Sequence, residues 1–230
     1  MHLKYTLKNK RYVFCEELDY GDRYSSEIPF NLDYDVYSYE IDQSMKDIVD
    51  RIINSATAFV FSELHLKNIQ KLKAAYDFDD SIVIDYFKFL YVFQNMISDF
   101  GFKMSKEKIR IKFLNANRDA NLSDVFNNSA AMCTEFAVLG YLLMKNIGVE
   151  ASLIASRASW GKRVGYHTLL YIKDFERFWD VGNCFSVMGN YFPSIYDNLS
   201  TQENYQNNQM VLRRMPNAGD FSTSLMLDFN

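Results

Sequence analysis

The sequence has 230 residues with a formal net charge of −4, and 48% of its residues are hydrophobic. This composition excludes a disordered chain, which would carry fewer apolar residues, and the length allows one domain with a sizeable core. The acidic balance disfavours a dedicated nucleic-acid-binding protein, which usually has a basic excess. Three widely spaced cysteines, an odd number, do not form a disulfide framework.

The chain shows no signal for export or for membrane insertion. Residues 1–6 lack the apolar core of a secretory signal. The longest apolar stretch, residues 82–100, is interrupted by polar and charged residues and does not predict a membrane span. We therefore expect a cytoplasmic protein, or a secreted effector that leaves the cell without a cleavable signal.

The first hundred residues divide into a β-rich and a helical part. Residues 1–42 form an acidic opening segment with short alternating apolar runs, which are typical of strands. Residues 43–101 predict helices: one opens at Ser44, a second covers about 64–72 and includes His65, and a third runs from Ser81 to about Phe100. Gly101 supplies the stop signal of the third helix. His65 has no cysteine or acid at ligand spacing beyond Glu63 and is interpreted as a surface or packed histidine.

Residues 102–183 hold the candidate catalytic core, which begins with a strand and a loop. The strict alternation of basic and apolar residues over 108–113 predicts a half-exposed strand. Residues 115–128 are polar and loop-like and lead to Cys133. Asn128 and Ser129 are good N-cap residues for the helix that follows, because their side-chain oxygens accept the first free N–H groups.

Cys133 lies where this polar run changes into an apolar helix. Apolar residues recur at helical spacing up to Ile147, and Gly148 is the expected stop. A cysteine in the first turn of a helix is near free N–H groups and the positive end of the helix dipole, which favour the nucleophilic thiolate. A small buried hydrophobic residue is the alternative interpretation.

Three strands are predicted after the helix, at 149–156, 165–172 and 177–183. His167 lies on the second and Asp180 on the third, and a short turn at 173–176 would bring the two side by side. Cysteine, histidine and aspartate make a nucleophile, a general base and an orienting acid. Of the three histidines, at positions 2, 65 and 167, only His167 lies on a strand with an acid on the neighbouring strand. Cys184 lies close enough to Asp180 to be a rival nucleophile.

This order of motifs resembles the transglutaminase-like branch of the papain-like cysteine enzymes. The resemblance covers about residues 127–183 and rests on four short motifs: CTEFA at 133–137, GVEA at 148–151, YH at 166–167 and FWD at 178–180. The chain departs from the family where Ala131 and Met132 precede the cysteine and where Thr168 follows the histidine. The resemblance implies a Cys133–His167–Asp180 catalytic triad that needs neither a cofactor nor a metal.

The resemblance also implies an oxyanion donor and a substrate groove. Papain-like enzymes use a side-chain amide upstream of the nucleophile, for which Asn127 and Asn128 are the candidates, although Asn128 is equally suited to cap the helix. The backbone N–H of Cys133 is a further donor. Trp160 and Trp179 are the candidates for the lip of the substrate groove. Residues 184–230 read as an irregular C-terminal segment that walls the groove or caps the sheet.

We therefore predict a single transglutaminase-like domain over residues 1–230. Its fold class is α+β, with a papain-like or transglutaminase-like core, a helical N-terminal half packed on an antiparallel sheet, and the nucleophile at a helix N-terminus. The predicted function is acyl transfer on a protein or peptide substrate, as a cysteine protease, a glutamine deamidase or a transglutaminase. The alternatives are an acyltransferase with the same triad and a non-catalytic protein-binding module. Nucleic acid and a membrane span are not expected.

Overall fold

The computed structural model describes residues 6–8, 12–15, 18–25, 38–60, 81–117, 119–160, 162–187, 190–207, 209–215 and 224–228. The helices are α1 (Gln43–Val60), α2 (Ser81–Asp99), α3 (Glu107–Ala116), α4 (Leu122–Asn127), α5 (Cys133–Asn146) and α6 (Gln202–Gln206). The strands are β1 (Thr6–Lys8), β2 (Tyr12–Cys15), β3 (Arg23–Ser25), β4 (Ser38–Glu40), β5 (Ala151–Trp160), β6 (Arg163–Ile172), β7 (Arg177–Val187), β8 (Asn190–Asn198), β9 (Gln209–Met215) and β10 (Ser224–Asp228).

The second half of the chain forms a closed antiparallel barrel of six strands in the order β5-β10-β9-β8-β7-β6. The barrel closes because β5 and β6 form a long hairpin, paired from Ala151–Ile172 to Trp160–Arg163. The other edge of β5 pairs with β2 near its start and with β10 near its end. The small β1–β2 hairpin is thus attached to the outside of the barrel seam, and a separate β3–β4 pair lies upstream of α1.

Two apolar cores follow from the alternation of side chains along these strands. One core lies inside the barrel and contains aliphatic and aromatic side chains from all six of its strands: Ile154, Ala158, Leu169, Phe178, Tyr196, Met210, Leu212, Leu225 and Leu227. The larger core lies between the helices and the opposite faces of β5, β6 and β7. Helix α5 packs directly on those three strands, so its N-terminus is fixed relative to β6 and β7.

Gly140 permits the close approach of α5 to the sheet. A Cβ atom at this position would lie 2.5 Å from Cγ2 of Val181 and 3.2 Å from Cδ2 of Leu170. Real Cβ atoms essentially never approach another atom this closely, and the branched Val181 has little rotamer freedom to move away. A larger residue would therefore displace α5 from β6 and β7.

Most helices and strands match the sequence-based expectation. The helix from Ser44, the helix that ends before Gly101, the helix from Cys133 and the three strands after it are confirmed. Gly101 and Gly148 have φ angles of +78° and +75°, as a left-handed C-terminal stop requires. The expected second helix at 64–72, with His65, and much of the opening segment lie outside the described residues. In the described helices, no segment is long and apolar enough to cross a membrane.

The predicted strand at 108–113 is wrong, because this segment is helix α3. Its alternating isoleucines do not bury a sheet face: Ile109 and Ile111 are 49% and 38% exposed. Leu114 is the buried residue of the helix, and Arg110 turns inward to an acidic partner. The lysine and glutamate residues around them are good helix formers, and propensity prevailed where no neighbouring strand was available to pair.

The predicted loop at 115–128 is also partly wrong, since it contains the short helix α4. Asp124 caps this helix by accepting the Asn121 N–H at 3.1 Å, and its apolar side is buried. Asn128 therefore ends α4 and does not begin α5. The N-cap of α5 is Met132, whose backbone is extended, and Ser129 adopts a φ angle of +53° in the turn between the two helices.

The prediction of an irregular C-terminal segment at 184–230 is wrong for the part of it that the structure describes. Strand β7 continues to Val187, and β8, β9 and β10 follow it in the barrel. Many polar residues of this segment lie in β8, which pairs with both β7 and β9, and in the short helix α6. Pro193 is accommodated in β8 beside an irregularity in the β7–β8 register, between Asp180 and Cys184.

The close approach at Gly140 leads to a stability prediction. Gly140→Ala should lower the free energy of unfolding by about 1–3 kcal/mol, the usual cost of overpacking, measured by urea denaturation. The matched control is Gly165→Ala, where the added Cβ would meet only the Trp160 ring at 3.5 Å, an ordinary contact. Equal stability of the two variants would show that the packing of α5 on β6 and β7 does not depend on Gly140.

Candidate active site

Cys133 is the first residue of α5, and its side chain is only partly buried. Met132 before it is extended, with φ −123° and ψ −166°, so the chain turns into the helix at the cysteine itself. The N–H groups of the first helical turn have no acceptor within the helix. The thiol therefore lies at a positively polarised helix end.

His167 and Asp180 meet where β6 and β7 separate. The pairing of these strands runs from Ile172–Arg177 to Leu170–Trp179, and both side chains lie just beyond it. His167 Nε2 is 2.6 Å from Asp180 Oδ2, and both residues are buried. Asn183 also donates from Nδ2 to the same Asp180 oxygen at 2.8 Å. Because Nε2 is engaged by the carboxylate, Nδ1 of His167 is left to face the cysteine.

The Cys133 thiol is hydrogen-bonded with His167 and accepts the backbone N–H of Thr168. Burial alone raises the pKa of Cys133, but the hydrogen bond and charge of His167 and the Thr168 N–H outweigh it. The pKa of the thiol therefore lies below its ordinary value. Burial likewise lowers the pKa of His167, yet Asp180 and Cys133 raise it well above the ordinary range. Both shifts act in the same direction, in favour of a thiolate beside an imidazolium.

A pair of threonine hydroxyls fixes the helix to the strand beside this pair. Thr134 Oγ1 and Thr168 Oγ1 are 3.0 Å apart, and both side chains are buried. Each threonine directly follows one member of the reacting pair, Cys133 or His167. The contact therefore sets the spacing between the first turn of α5 and β6.

Glu135, in the same first turn, is a fully buried carboxylate with three partners. Oε2 accepts the Met132 N–H at 2.7 Å, and this bond closes the N-terminus of α5. Oε1 accepts the Tyr39 hydroxyl, and Arg110 donates from Nη1 to Oε2. These bonds join the start of α5 to β4 and to α3.

Arg110 compensates a charge that would otherwise oppose the thiolate. The negative charge of Glu135 acts to raise the pKa of Cys133, although its effect is smaller than that of His167. Burial lowers the pKa of Arg110, but Glu135, Tyr39 and Cys133 raise it overall, so the guanidinium remains charged. A buried carboxylate without such a partner is strongly unfavourable.

The two candidate oxyanion asparagines are not brought to this pair. The prediction for Asn128 is wrong, because its exposed amide donates to the Asp124 carbonyl at 2.8 Å and so ends α4. Asn127 is exposed at the end of the same helix, and no hydrogen bond among the described residues joins it to Cys133 or His167. The backbone N–H of Cys133 is the better-placed donor.

The two tryptophans predicted to form the lip of the groove lie in different environments. Trp160 is half-buried, and its ring centroid is 5.9 Å from that of His167, at a tilt of 55°. It therefore borders the site. The prediction of Trp179 as a lip residue is wrong, because its side chain is fully buried and donates from Nε1 to Gln94 Oε1 at 3.3 Å. It lies on the helix-facing side of β7, opposite to Asp180.

Cys184 is an unsuitable nucleophile. It is partly buried, and burial raises the pKa of its thiol despite a hydrogen bond from Ser98. His167 is already held by Asp180 and Cys133, so no base is directed to Cys184. Asp174 lies exposed in the β6–β7 turn, remote from this set.

The sequence analysis does not predict three features of the site: Glu135, Arg110 and the Thr134–Thr168 pair. One signal was available for Glu135: it is an acid inside an otherwise apolar helix, three residues after the N-cap position. Arg110 has no such signal, because the alternation over 108–113 places it among the basic residues on the solvent face of the predicted strand. The described part of the chain holds no group of three metal-ligating side chains.

Comparisons with known proteins add nothing to this geometry. No protein-family model, no curated protein and no solved structure matches the chain at a significant level. The transglutaminase-like resemblance therefore stays a prediction from the sequence motifs.

The buried ion pair generates a stability prediction. Arg110→Met should lower the free energy of unfolding by roughly 3–5 kcal/mol, because it leaves the Glu135 carboxylate buried without its counterion. Adding Glu135→Gln removes that charge and should restore at least half of the loss, measured by urea denaturation. Lys46→Met, which breaks an exposed pair with Asp50, is the control and should change little. A double variant as unstable as Arg110→Met alone would contradict this account.

The pKa shifts generate a reactivity prediction. The pKa of Cys133 is lowered, so its thiolate persists at pH values below 9.0, the ordinary pKa of a cysteine. The pKa of Cys184 is raised, so that thiol stays protonated. Iodoacetamide at pH 6 should label Cys133 at least about tenfold faster than Cys184, measured by peptide mass spectrometry. His167→Ala should move the Cys133 rate profile to higher pH. Preferential labelling of Cys184 would reassign the nucleophile.

Proposed function

We propose that this protein is a thiol-dependent acyl-transfer enzyme that acts on a peptide or side-chain amide of a protein substrate. The observation that carries the proposal is the hydrogen-bonded series from the Cys133 thiol through His167 to Asp180. A structural cysteine needs no such series, and a lowered thiol pKa beside a histidine held by a carboxylate is what nucleophilic catalysis requires.

The first half-reaction follows from the positions of these groups. The Cys133 sulfur attacks the carbonyl carbon of the amide, and the carbonyl oxygen takes up the electron pair as an oxyanion. The N–H of Cys133, free of an intrahelical acceptor, is the donor nearest to that oxygen. His167 then gives the proton on Nδ1 to the leaving nitrogen, and the C–N bond breaks to leave a thioester on the sulfur.

In the second half-reaction, water or an amine attacks the thioester carbon. His167 Nδ1 removes a proton from the incoming nucleophile, and the thiolate leaves to regenerate the starting pair. Asp180 does not exchange protons with the substrate. It accepts the Nε2–H bond and so keeps the imidazole in one orientation and one tautomer. Water as the acceptor gives a protease or a deamidase, and an amine gives a transglutaminase.

Access to the thiol is consistent with a protein substrate. Cys133 is partly exposed, Trp160 borders His167 on one side, and Met104 covers Gly182 on the other. A Cβ at Gly182 would lie 2.8 Å from the Met104 sulfur, so the segment before α3 is packed on β7 next to Asp180. The segments of Trp160 and Met104 therefore border the triad at His167 and next to Asp180, and we propose that the substrate chain contacts them.

The test is incubation with a cell lysate, followed by mass spectrometry for cleavage, deamidation and cross-linking. Wild-type protein should produce modified peptides, and Cys133→Ala should produce none. Asp180→Asn should remain folded but lose roughly 10⁴ in rate, because an amide can hold the imidazole in the wrong tautomer. Asp174→Asn, in the exposed turn, is the control and should keep full activity.

Two outcomes would contradict the proposal. If Asp180→Asn retains turnover but loses thermal stability, the aspartate has a structural role. If wild type and Cys133→Ala give the same peptide profile while the protein retains partners from the lysate, the chain is a binding module that has lost its chemistry.

A further inference from the structure

Two basic surface segments flank the thiol of this acidic protein. The first, the α3 flank, contains the exposed side chains of Lys103, Lys106, Lys108 and Lys112 against the single acid Glu107. The second, the hairpin flank, contains the exposed side chains of Lys162 and Arg163 at the β5–β6 turn and no acid. The rest of the chain has an acidic excess, since the net charge is −4 overall.

The α3 flank is held next to the nucleophile by backbone contacts. The Ser105 N–H donates to the Ala131 carbonyl at 2.7 Å, two residues before Cys133. Met104 packs on Gly182, two residues after Asp180. Arg110 of the same helix is close enough to Cys133 for the two charges to interact. The start of α3 therefore forms one wall of the site.

The hairpin flank borders the site at His167. Trp160 is the last residue of β5, contacts the His167 ring, and pairs directly with Arg163. Lys162 lies in the turn between them. Val164, next in β6, is 58% exposed, and Ile109 of the α3 flank is 49% exposed. Each flank thus presents a cation beside an exposed aliphatic side chain.

These cations are not neutralised by the protein itself. None of the six basic residues forms an ion pair with another described residue, in contrast to Lys46, Lys145 and Lys173, which each pair with a carboxylate. Uncompensated like charges beside one site raise the free energy of the unliganded protein. An anionic ligand beside both flanks would relieve this repulsion.

We propose that the site selects acidic segments of protein chains, in which glutamate or aspartate residues flank the amide that reacts with Cys133. This inference rests on the proposed function and names its substrate class. A protein segment fits better than a nucleic acid, because the Cys133 sulfur attacks a carbonyl carbon, and because Trp160, the aromatic side chain beside the hairpin cations, packs against His167. A single-stranded nucleic acid would use aromatic stacking platforms between the basic residues.

The test uses three synthetic peptides of equal length with a central chloroacetamide flanked by four glutamates, four glutamines or four lysines. Second-order rates of Cys133 labelling are measured at low and high salt, and each is divided by the iodoacetamide rate of the same protein. The glutamate peptide should react at least about tenfold faster than the lysine peptide at low salt. The difference should shrink at high salt, because exposed charges are screened.

Charge-reversal variants locate the effect. Lys106→Glu with Lys108→Glu, and Lys162→Glu with Arg163→Glu, should each reduce or invert the ranking of the peptides. The matched control is Lys145→Glu with Lys173→Glu, which reverses two charges at the opposite ends of α5 and β6 from Cys133 and His167. This control should keep the wild-type ranking.

The outcomes separate this inference from the proposed function. Equal normalised rates for the three peptides, with Cys133 still reactive to iodoacetamide at pH 6, would overturn the acidic substrate and leave the acyl-transfer proposal standing. A Cys133 that is inert to iodoacetamide would overturn both. Protection of Cys133 by a single-stranded oligonucleotide, at concentrations where a glutamate peptide without the electrophile gives none, would replace the protein segment with a nucleic acid.

Discussion

The buried carboxylate of Glu135 is the constraint on which the site depends. It holds the Met132 N–H and so fixes the turn in which Cys133 begins α5. A charge with no exposure to water must be compensated, and Tyr39 and Arg110 supply the compensation from β4 and α3. Three segments that are distant in the sequence are therefore joined next to Cys133. The α3 flank owes its position beside the thiol to this pairing.

The electrostatics of the site form a balance between two carboxylates. Glu135 opposes a negative charge on Cys133, and burial opposes it more strongly. Asp180 acts in the other direction through His167, because a carboxylate on Nε2 favours the imidazolium, and the imidazolium favours the thiolate. Arg110 limits the influence of Glu135. The thiolate is thus favoured only while the helix N-terminus, β6 and β7 keep their relative positions, which Gly140 and the two threonine hydroxyls maintain.

The sequence predicted those parts of the structure whose signals are local. Apolar residues at helical spacing and Gly148 located α5. Alternating residues and a short turn located β6 and β7, so the sequence alone predicted that His167 and Asp180 lie side by side. It failed where a distant partner decides the outcome. The alternation at 108–113 looked like a strand because nothing local shows that Arg110 turns inward to Glu135. Trp179 looked like a surface aromatic because the helices covering β7 come from far upstream.

The C-terminal strands have a role at the site that a polar, turn-rich sequence concealed. Strand β8 pairs with β7 at the level of Asp180, whose partner is Ser194, and Arg214 of β9 donates to the Ser194 hydroxyl at 2.5 Å. Asp180 is thereby removed from water, and its Oδ1 has no hydrogen-bond partner among the described residues. The stabilisation of its charge then rests on Oδ2, which accepts from His167 and Asn183. A buried carboxylate with so few partners is stabilised by a nearby cation. The closure of the barrel therefore favours the protonated imidazole of His167, which in turn favours the thiolate.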